Sequence, residues 1–344
     1  PRSTHTLHSF PTRRSSDLPG TGLSPLAEAA LGRARALAAE YRFFHWELEF
    51  PEVFFDAQGR RPEGAGFDAV VGNPPWERIK LQENEFFALR DRAIALAPTA
   101  AKRKELVREL PGTNPDLWAD YQAARQRAER ELAWVRQSGQ FPLMGRGDTN
   151  LYAVFAERGR RLLGRKGRLG LVVPSGIATD QTTSAFFADL VETQTLGSLL
   201  DFENRRKVFP DVDSRFKFTI ISLTGGEPSE EITCGFFLHG PDDMADPARV
   251  FRLRPADCAL MNPNTRTCPV FRTRRDYELT RAIYERVPVL VRETEAGEEN
   301  PWGVRYHTMF HMTNDSGLFR TAAELEADAL DRVGGVALHL GAGA

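Results

Sequence analysis

Cysteine is scarce in this chain: Cys234, Cys258 and Cys268 are the only three in 344 residues, and no two stand in a CxxC pair. A disulfide framework is excluded, and a reducing cytosol, hence a cytoplasmic protein, is the default. Long apolar runs are missing as well. None approaches the roughly 18 residues of a membrane-spanning helix, so no membrane partner is expected. Charge of one sign is not in excess: 45 Lys and Arg meet 47 Asp and Glu, for a net charge of −2. No strong non-specific attraction to polyanions is expected, and a nucleic-acid surface would have to be a local patch. Some catalytic signatures are absent too. Ser175 sits in VPSGI, which lacks the GxSxG elbow of a hydrolase. His307 and His311 have the spacing of a helical zinc pair, but HTMFH lacks the metalloprotease glutamate and its aromatic neighbours read as packing. No metal is expected, and no PD…ExK-like nuclease arrangement stands out.

What is present falls into segments. Residues 1–18, PRSTHTLHSFPTRRSSDL, are rich in Arg, Ser and Thr without hydrophobic period. They read as a non-native or disordered leader and stand outside the fold. Pro25 to Trp46 carries Leu and Ala at helical spacing, and WELEFPEVFF reads as an extended piece broken by Pro51. FDAVV, apolar and flanked by glycines, is a buried strand. Residues 80–146 have dense charge with Ala, Leu and Trp at helical intervals, punctuated by PGTNP, and read as a helical insertion. From Asp148 an α/β rhythm begins. Asp148-Thr149-Asn150 can cap a helix whose stripe is Leu151, Val154, Phe155 and Leu162. LGLVV is a strand, Thr179 to Glu192 a helix, and LGSLLDF and KFTIISL two strands joined by the charged loop ENRRKVFPDVDSR. This order is the grammar of an α/β, doubly wound sheet finishing in a hairpin, whose ligands sit beyond the carboxyl ends of the strands.

At that place, after FDAVVG, stands Asn73-Pro74-Pro75-Trp76. Two prolines in a row forbid helix and ladder alike, so this is a rigid turn. Such a turn suits one chemistry. The exocyclic amine of a nucleobase is a poor nucleophile because its lone pair is delocalised into the ring. Acceptors on both N–H groups, here the Asn73 amide oxygen and the Pro74 carbonyl, would free that lone pair, and Pro74-Pro75 would hold them still. A base reached this way must leave the duplex stack, and the flat ring of Trp76 would replace the lost stacking.

The turn resembles the catalytic motif of the N6-adenine DNA methyltransferases. FHWELEFPEVFF, GFDAVVGNPPW, GDTNLYAVFAERGRRLL, GRLGLVVPSGIATD and LLDFENRRKVFPDVDSRFKFTIISLTGG are similar, in order, to the large adenine methylases of type IIG restriction–modification and BREX-type phage-resistance systems. The resemblance covers roughly residues 40–320. It implies a Rossmann-like class I methyltransferase fold, S-adenosyl-L-methionine as cofactor and double-stranded DNA as partner. It also implies catalytic roles for Asn73, Pro74, Pro75 and Trp76, with Asn73 and Pro74 touching the cofactor's methionine end. Tyr or Phe is commoner than Trp at the last place. A second ring closes the family's pocket from the strand matching KFTIISL, so Phe216 and Phe218 join Trp76 as base-stacking candidates. The resemblance implies site-specific adenine-N6 methyl transfer. The alternatives are N4-cytosine methylation, whose motif more often begins with Ser than Asn, and a DNA-binding or specificity module that keeps the pocket without transfer.

One departure concerns the cofactor. The family holds it at a Gly-rich turn after its first strand, upstream of the NPP motif, with an acid after the second strand on its ribose. PGTGLSP has one GxG but no preceding strand, and residues 24–66 are too few for the three strands required. The expectation is therefore that residues 19–226 are the C-terminal part of a catalytic domain, inactive alone. Residues 227–344 would be a linker and the beginning of target recognition, whose opening NPWGVRYHTMFHMTNDSGLF resembles. Within it, residues 266–292 carry seven arginines against three acids, so Arg272, Arg274 and Arg275 are candidates for DNA phosphate contact. Any nuclease domain or subunit would lie outside this chain.

Overall fold

The computed structural model describes residues 24–305 without a break, and 307–309, 311, 314–321, 324, 330–333 and 336–339 beyond them. The leader at 1–18 and most of PGTGLSP lie outside the described residues. Three helical pieces come first: α1 (Pro25–Tyr41), α2 (Trp46–Glu49) and α3 (Pro51–Phe54). Ser24 caps α1 by accepting the Ala27 N–H at 3.3 Å, with Pro25 at the first helical position. The extended reading of WELEFPEVFF is thus corrected to two helical turns. Pro51 opens the second turn, where its missing N–H would have had no partner anyway. Trp46, Phe50 and Phe54, four apart, close edge-on around Phe67 with ring centroids 5.3–5.6 Å away.

Phe67 begins β1 (Phe67–Gly72), after which the chain enters four helices: α4 (Glu83–Ala88), α5 (Arg92–Ala95), α6 (Ala100–Thr113) and α7 (Pro115–Gln137). Side chains of Asp91, Thr99 and Asn114 cap the last three. Phe87, Ile94, Val107, Leu110, Leu117 and Tyr121 give this insertion a core of its own.

The rest builds one sheet: α8 (Leu151–Leu162), β2 (Leu163–Val173), α9 (Gly176–Thr179), α10 (Ser184–Glu192), β3 (Leu196–Glu203), β4 (Lys217–Thr224), β5 (Ile232–Leu238) and β6 (Val250–Leu253), followed by α11 (Pro255–Met261) and α12 (Arg274–Tyr284). Asn150 occupies the cap position of α8 without a side-chain capping bond, and Phe155 of the expected stripe is half exposed while Val154 and Leu162 are buried.

The strand order is β1-β2-β4-β3-β5-β6. β1 runs parallel to β2 and β3 to β5, whereas β4 is antiparallel to both β2 and β3. Hence β1, β2, β3 and β5 point one way, with β4 reversed between them and β6 reversed at the edge. This is the α/β, Rossmann-like arrangement of the sequence reading, closing in a β3–β4 hairpin. The sheet does not stop at residue 226, since β5 and β6 continue it. Short antiparallel ribbons follow at Arg292–Thr294 with Gly297–Glu299 and at Leu330–Val333 with Val336–His339.

Two consequences fix the geometry of the site. The carboxyl ends of β1, β2, β3 and β5 and the amino ends of β4 and β6 share one edge. At the opposite end the backbones crowd: a Cβ on Gly225 would stand 1.9 Å from the Gly164 carbonyl oxygen, and one on Gly66 would stand 2.4 Å from the Gly164 nitrogen.

Candidate functional site

Asn73-Pro74-Pro75-Trp76 lies at the carboxyl end of β1, held from both sides. Before it, Gly72 pairs with Leu171 of β2. After it, Glu77 O accepts the Leu151 N–H at 2.9 Å, and the Ile79 N–H donates to Thr149 O at 3.0 Å. Arg78 faces Asn150 in the same bridge, and its guanidinium meets Asp148 at 2.6 Å. The turn is therefore tied to the start of α8, and the two prolines remove φ freedom inside it. Asn73 is exposed, Pro74 buried, Pro75 exposed and Trp76 half-buried.

The Trp76 ring packs against the main core and against a second cluster of Phe202, Phe218 and Leu238, which Phe209 also joins. Its indole N–H is buried and meets no acceptor among the described residues. Phe218 is spent on this cluster: it stacks on Phe202 at 5.1 Å and 6°, and meets Phe209 edge-on at 4.9 Å. Phe216 leaves the core and is 56% exposed. Strand alternation would put both rings on one side, but β4 starts only at Lys217, and Phe216 belongs to the turn that closes the loop. Phe209, which sequence reasoning passed over, packs on the same cluster as Trp76. Its signal is an aromatic followed by Pro210 in the loop after β3.

Charged groups surround this end of the sheet. Asp201 of β3 is buried and accepts the Thr219 hydroxyl at 2.9 Å; burial pushes its carboxyl up, and that bond and Lys217 partly offset the push. The Glu203 carboxylate sits among Arg205, Lys217 at 3.5 Å and His239 at 3.5 Å, and Arg205 foremost holds it below the usual range. Asp243 accepts the His239 N–H at 2.6 Å, the bond that most lowers its carboxyl, and pairs with Arg249 at 2.9 Å and Arg206 at 3.8 Å. Phe237, at φ +55°, carries Lys217 Nζ over its ring at 4.5 Å and Arg272 Cζ at 4.5 Å.

Of the three arginines singled out in the sequence, Arg272 therefore reaches the edge where the turn lies. Arg274 donates its main-chain N–H to Ala248 O at 2.8 Å and points its guanidinium at Glu278, 3.8 Å away on α12. Arg275 is exposed in the first turn of α12. His307 and His311 do not lie on a helix. Past Trp76, an open groove of about 680 Å³ runs between residues 77–82 and α7; Arg78, Lys80 and Arg127 share it with Glu77, Asp120 and Glu131, a mixed lining that offers no polyanion site.

The Eco57I restriction-modification methylase family matches residues 19–103 and 124–209, just under half of the chain. The stretch skipped in between falls in α6 and α7. The methyl donor of such methylases is S-adenosylmethionine. No curated protein matches. Solved structures with likeness include the type IIG restriction endonuclease BpuSI, 20% identical over 31% of this chain and 12% of that one, with a TM-score of 0.26. A Listeria monocytogenes protein assigned as a class I S-adenosylmethionine-dependent methyltransferase is 16% identical over 33% and 34%, with a TM-score of 0.25. The methyltransferase subunit of a Streptococcus thermophilus type I restriction-modification system is 12% identical over 44% and 28%, with a TM-score of 0.26. The chain spans about a third or less of the length of each.

Proposed function

We propose that this chain carries the base-binding part of a restriction-modification DNA methyltransferase, and that its target is the N6 amine of an adenine turned out of the duplex. One observation carries the reading: an Asn-Pro-Pro-Trp turn with its asparagine exposed, tied to β2 on one side and to the start of α8 on the other. S-adenosylmethionine, when bound, supplies an electrophilic methyl group. The exposed Asn73 amide and the main chain at Pro74 are the groups here that fit its methionine end.

The remaining chemistry belongs to the protein. Asn73 Oδ1 and the Pro74 carbonyl each accept one N–H of the target amine, which draws its lone pair out of the ring and toward attack. Because the turn is fixed before the base arrives, little reorganisation is left for the reaction itself. Trp76 offers a flat face that replaces stacking in the helix. Its buried indole N–H gains an acceptor if a polar edge of the bound nucleotide reaches it, which offsets the cost of leaving that group unpaired. Asparagine rather than serine at position 73 favours adenine over cytosine.

The test is Asn73→Ala in the complete protein, with methyl incorporation measured from labelled S-adenosylmethionine and the modified base identified by mass spectrometry. Transfer should fall by roughly 10²-fold or more, as for other single preorganised polar groups at a reacting centre, with DNA affinity within a few fold of the parent. Retained methylation would falsify the mechanism. N4-methylcytosine as the product of the parent enzyme would move the assignment to the cytosine class.

A further inference from the structure

The loop joining β3 to β4, residues 204–216, is exposed yet internally fixed. Asn204 has no exposed surface. Its Nδ2 donates to Phe209 O and Val212 O at 2.9 Å each, and its Oδ1 accepts the Phe209 N–H at 3.0 Å. Lys207 adopts φ +53°, returns its N–H to Asn204 O at 2.9 Å and sends its Nζ to Val212 O at 2.8 Å. The Asn204 N–H to Phe216 O bond, at 2.9 Å, brings the two ends together. Phe209 roots the loop in the cluster that also holds Trp76. Side chains tie down a loop in this way when it must display something at a set place.

What it displays is basic and partly apolar. Between Glu203 and Lys217 stand four cations against two acids, in a chain whose net charge is −2. Arg205 and Arg215 are 66% and 89% exposed, and Val208, Val212 and Phe216 are exposed beside them. Arg205 rests on Glu203 and Arg215 on Asp213. The Arg215–Asp213 pair, open on both sides, is worth little and can exchange for a phosphate. Arg205 is itself exposed but rests on a Glu203 only 14% exposed, which keeps Lys217 and His239 as partners when Arg205 turns outward.

Resting on the methyltransferase reading, we infer that loop 204–216 grips the DNA backbone beside the everted base. Arg205, Lys207 and Arg215 take phosphates, and Phe216 lies against a sugar or base. The loop sits at the same edge of the sheet as Asn73, so a strand held there passes the pocket mouth at Trp76.

The experiment measures binding of the protein to a fluorescent, mixed-sequence DNA duplex across a salt series, because phosphate contacts ignore sequence. Each lost contact flattens the plot of log affinity against log salt by about 0.9. The triple variant Arg205→Gln, Lys207→Gln, Arg215→Gln should flatten it by about 2 to 3 and weaken binding at least about tenfold near 0.1 M salt. Its melting temperature should fall only slightly, by the one exposed Lys207–Val212 tie it loses, and Arg205→Lys with Arg215→Lys should keep the parent slope. If the triple variant loses its fold, Lys207→Gln alone should flatten the slope by about one. A parent that binds the duplex while the variants share its slope and affinity overturns the loop assignment and leaves the methyltransferase reading standing. A parent without salt-dependent duplex binding overturns both.

Discussion

Trp76 presses on the core with one part of its ring and, in the proposed complex, on a base with another. Two substitutions separate these roles. Trp76→Ala removes both, and because the residue is only half-buried the stability loss should be about 2 kcal/mol, below the 3–5 of a fully buried aromatic. Base stacking worth roughly 1–3 kcal/mol disappears with it, so kcat/KM should fall further than stability explains. Trp76→Phe keeps a stacking face and deletes the buried, unpaired N–H. Its urea midpoint should match or exceed the parent, with kcat/KM within a few fold. A Phe variant as inactive as the Ala variant would show that the indole N–H, not the ring face, is what the ligand needs. The turn's place at the carboxyl end of a strand was legible in the sequence because a rigid Pro-Pro after an apolar run constrains its own surroundings. Asn204, Asp201 and Phe209 were not. Their roles depend on a chain reversal that brings residues 209 and 212 back to 204 and places Thr219 opposite Asp201, and a linear pattern does not encode that.

At the scale of elements, close approach of backbones at the lower end of the sheet makes a sharp test. Gly225 faces Gly164 across a gap where an added Cβ would lie 1.9 Å from a carbonyl oxygen. Backbone cannot swing aside as a long side chain can. Gly225→Ala should therefore cost about 1–3 kcal/mol or more as overpacking, read as a lower urea midpoint at unchanged m-value. An unchanged midpoint would mean the β2 and β4 ends separate freely. The strands themselves were readable from apolar runs bounded by glycine, and β2, β3 and β4 stand where LGLVV, LGSLLDF and KFTIISL placed them. Their order was not, since period-two alternation says which face is buried and nothing about β4 lying between β2 and β3. Proline misled the reading at residue 51. It breaks a helix interior but opens a first turn, and the four-residue spacing of Trp46, Phe50 and Phe54 was the better guide.

Across the whole molecule, acid acts on buried carboxylates of opposite kinds. Glu157 and Asp201 are pushed up by burial, against partial relief from the Met144 and Leu143 N–H groups and from Thr219. Their folded forms hold a proton more tightly than the unfolded chain. They therefore favour folding below their ordinary values of 4.5 and 3.8, and that gain is lost as pH rises through their folded values. Asp257 is the reverse case. Burial alone would raise it, but the Arg254 guanidinium at 3.0 Å and the Tyr277 hydroxyl at 2.7 Å hold it below 3.8. Arg281 adds a contact at 3.1 Å, so one carboxylate pins α11 to α12. Its contribution is complete above 3.8 and is lost as pH falls through the lower folded value. As pH falls, stability should thus gain from Glu157 and Asp201 and lose the Asp257 contribution, the latter below 3.8. Asp257→Asn leaves Arg254 and Arg281 facing a neutral group, at a cost of about 3 kcal/mol at pH 7, the lower end for a broken buried pair. Urea unfolding of both proteins at pH 7 and pH 3 should show that gap closing as the parent's own carboxylate takes up its proton. A gap of the same size at both values would mean that Asp257 holds the two helices through shape and hydrogen bonding, with its charge contributing nothing.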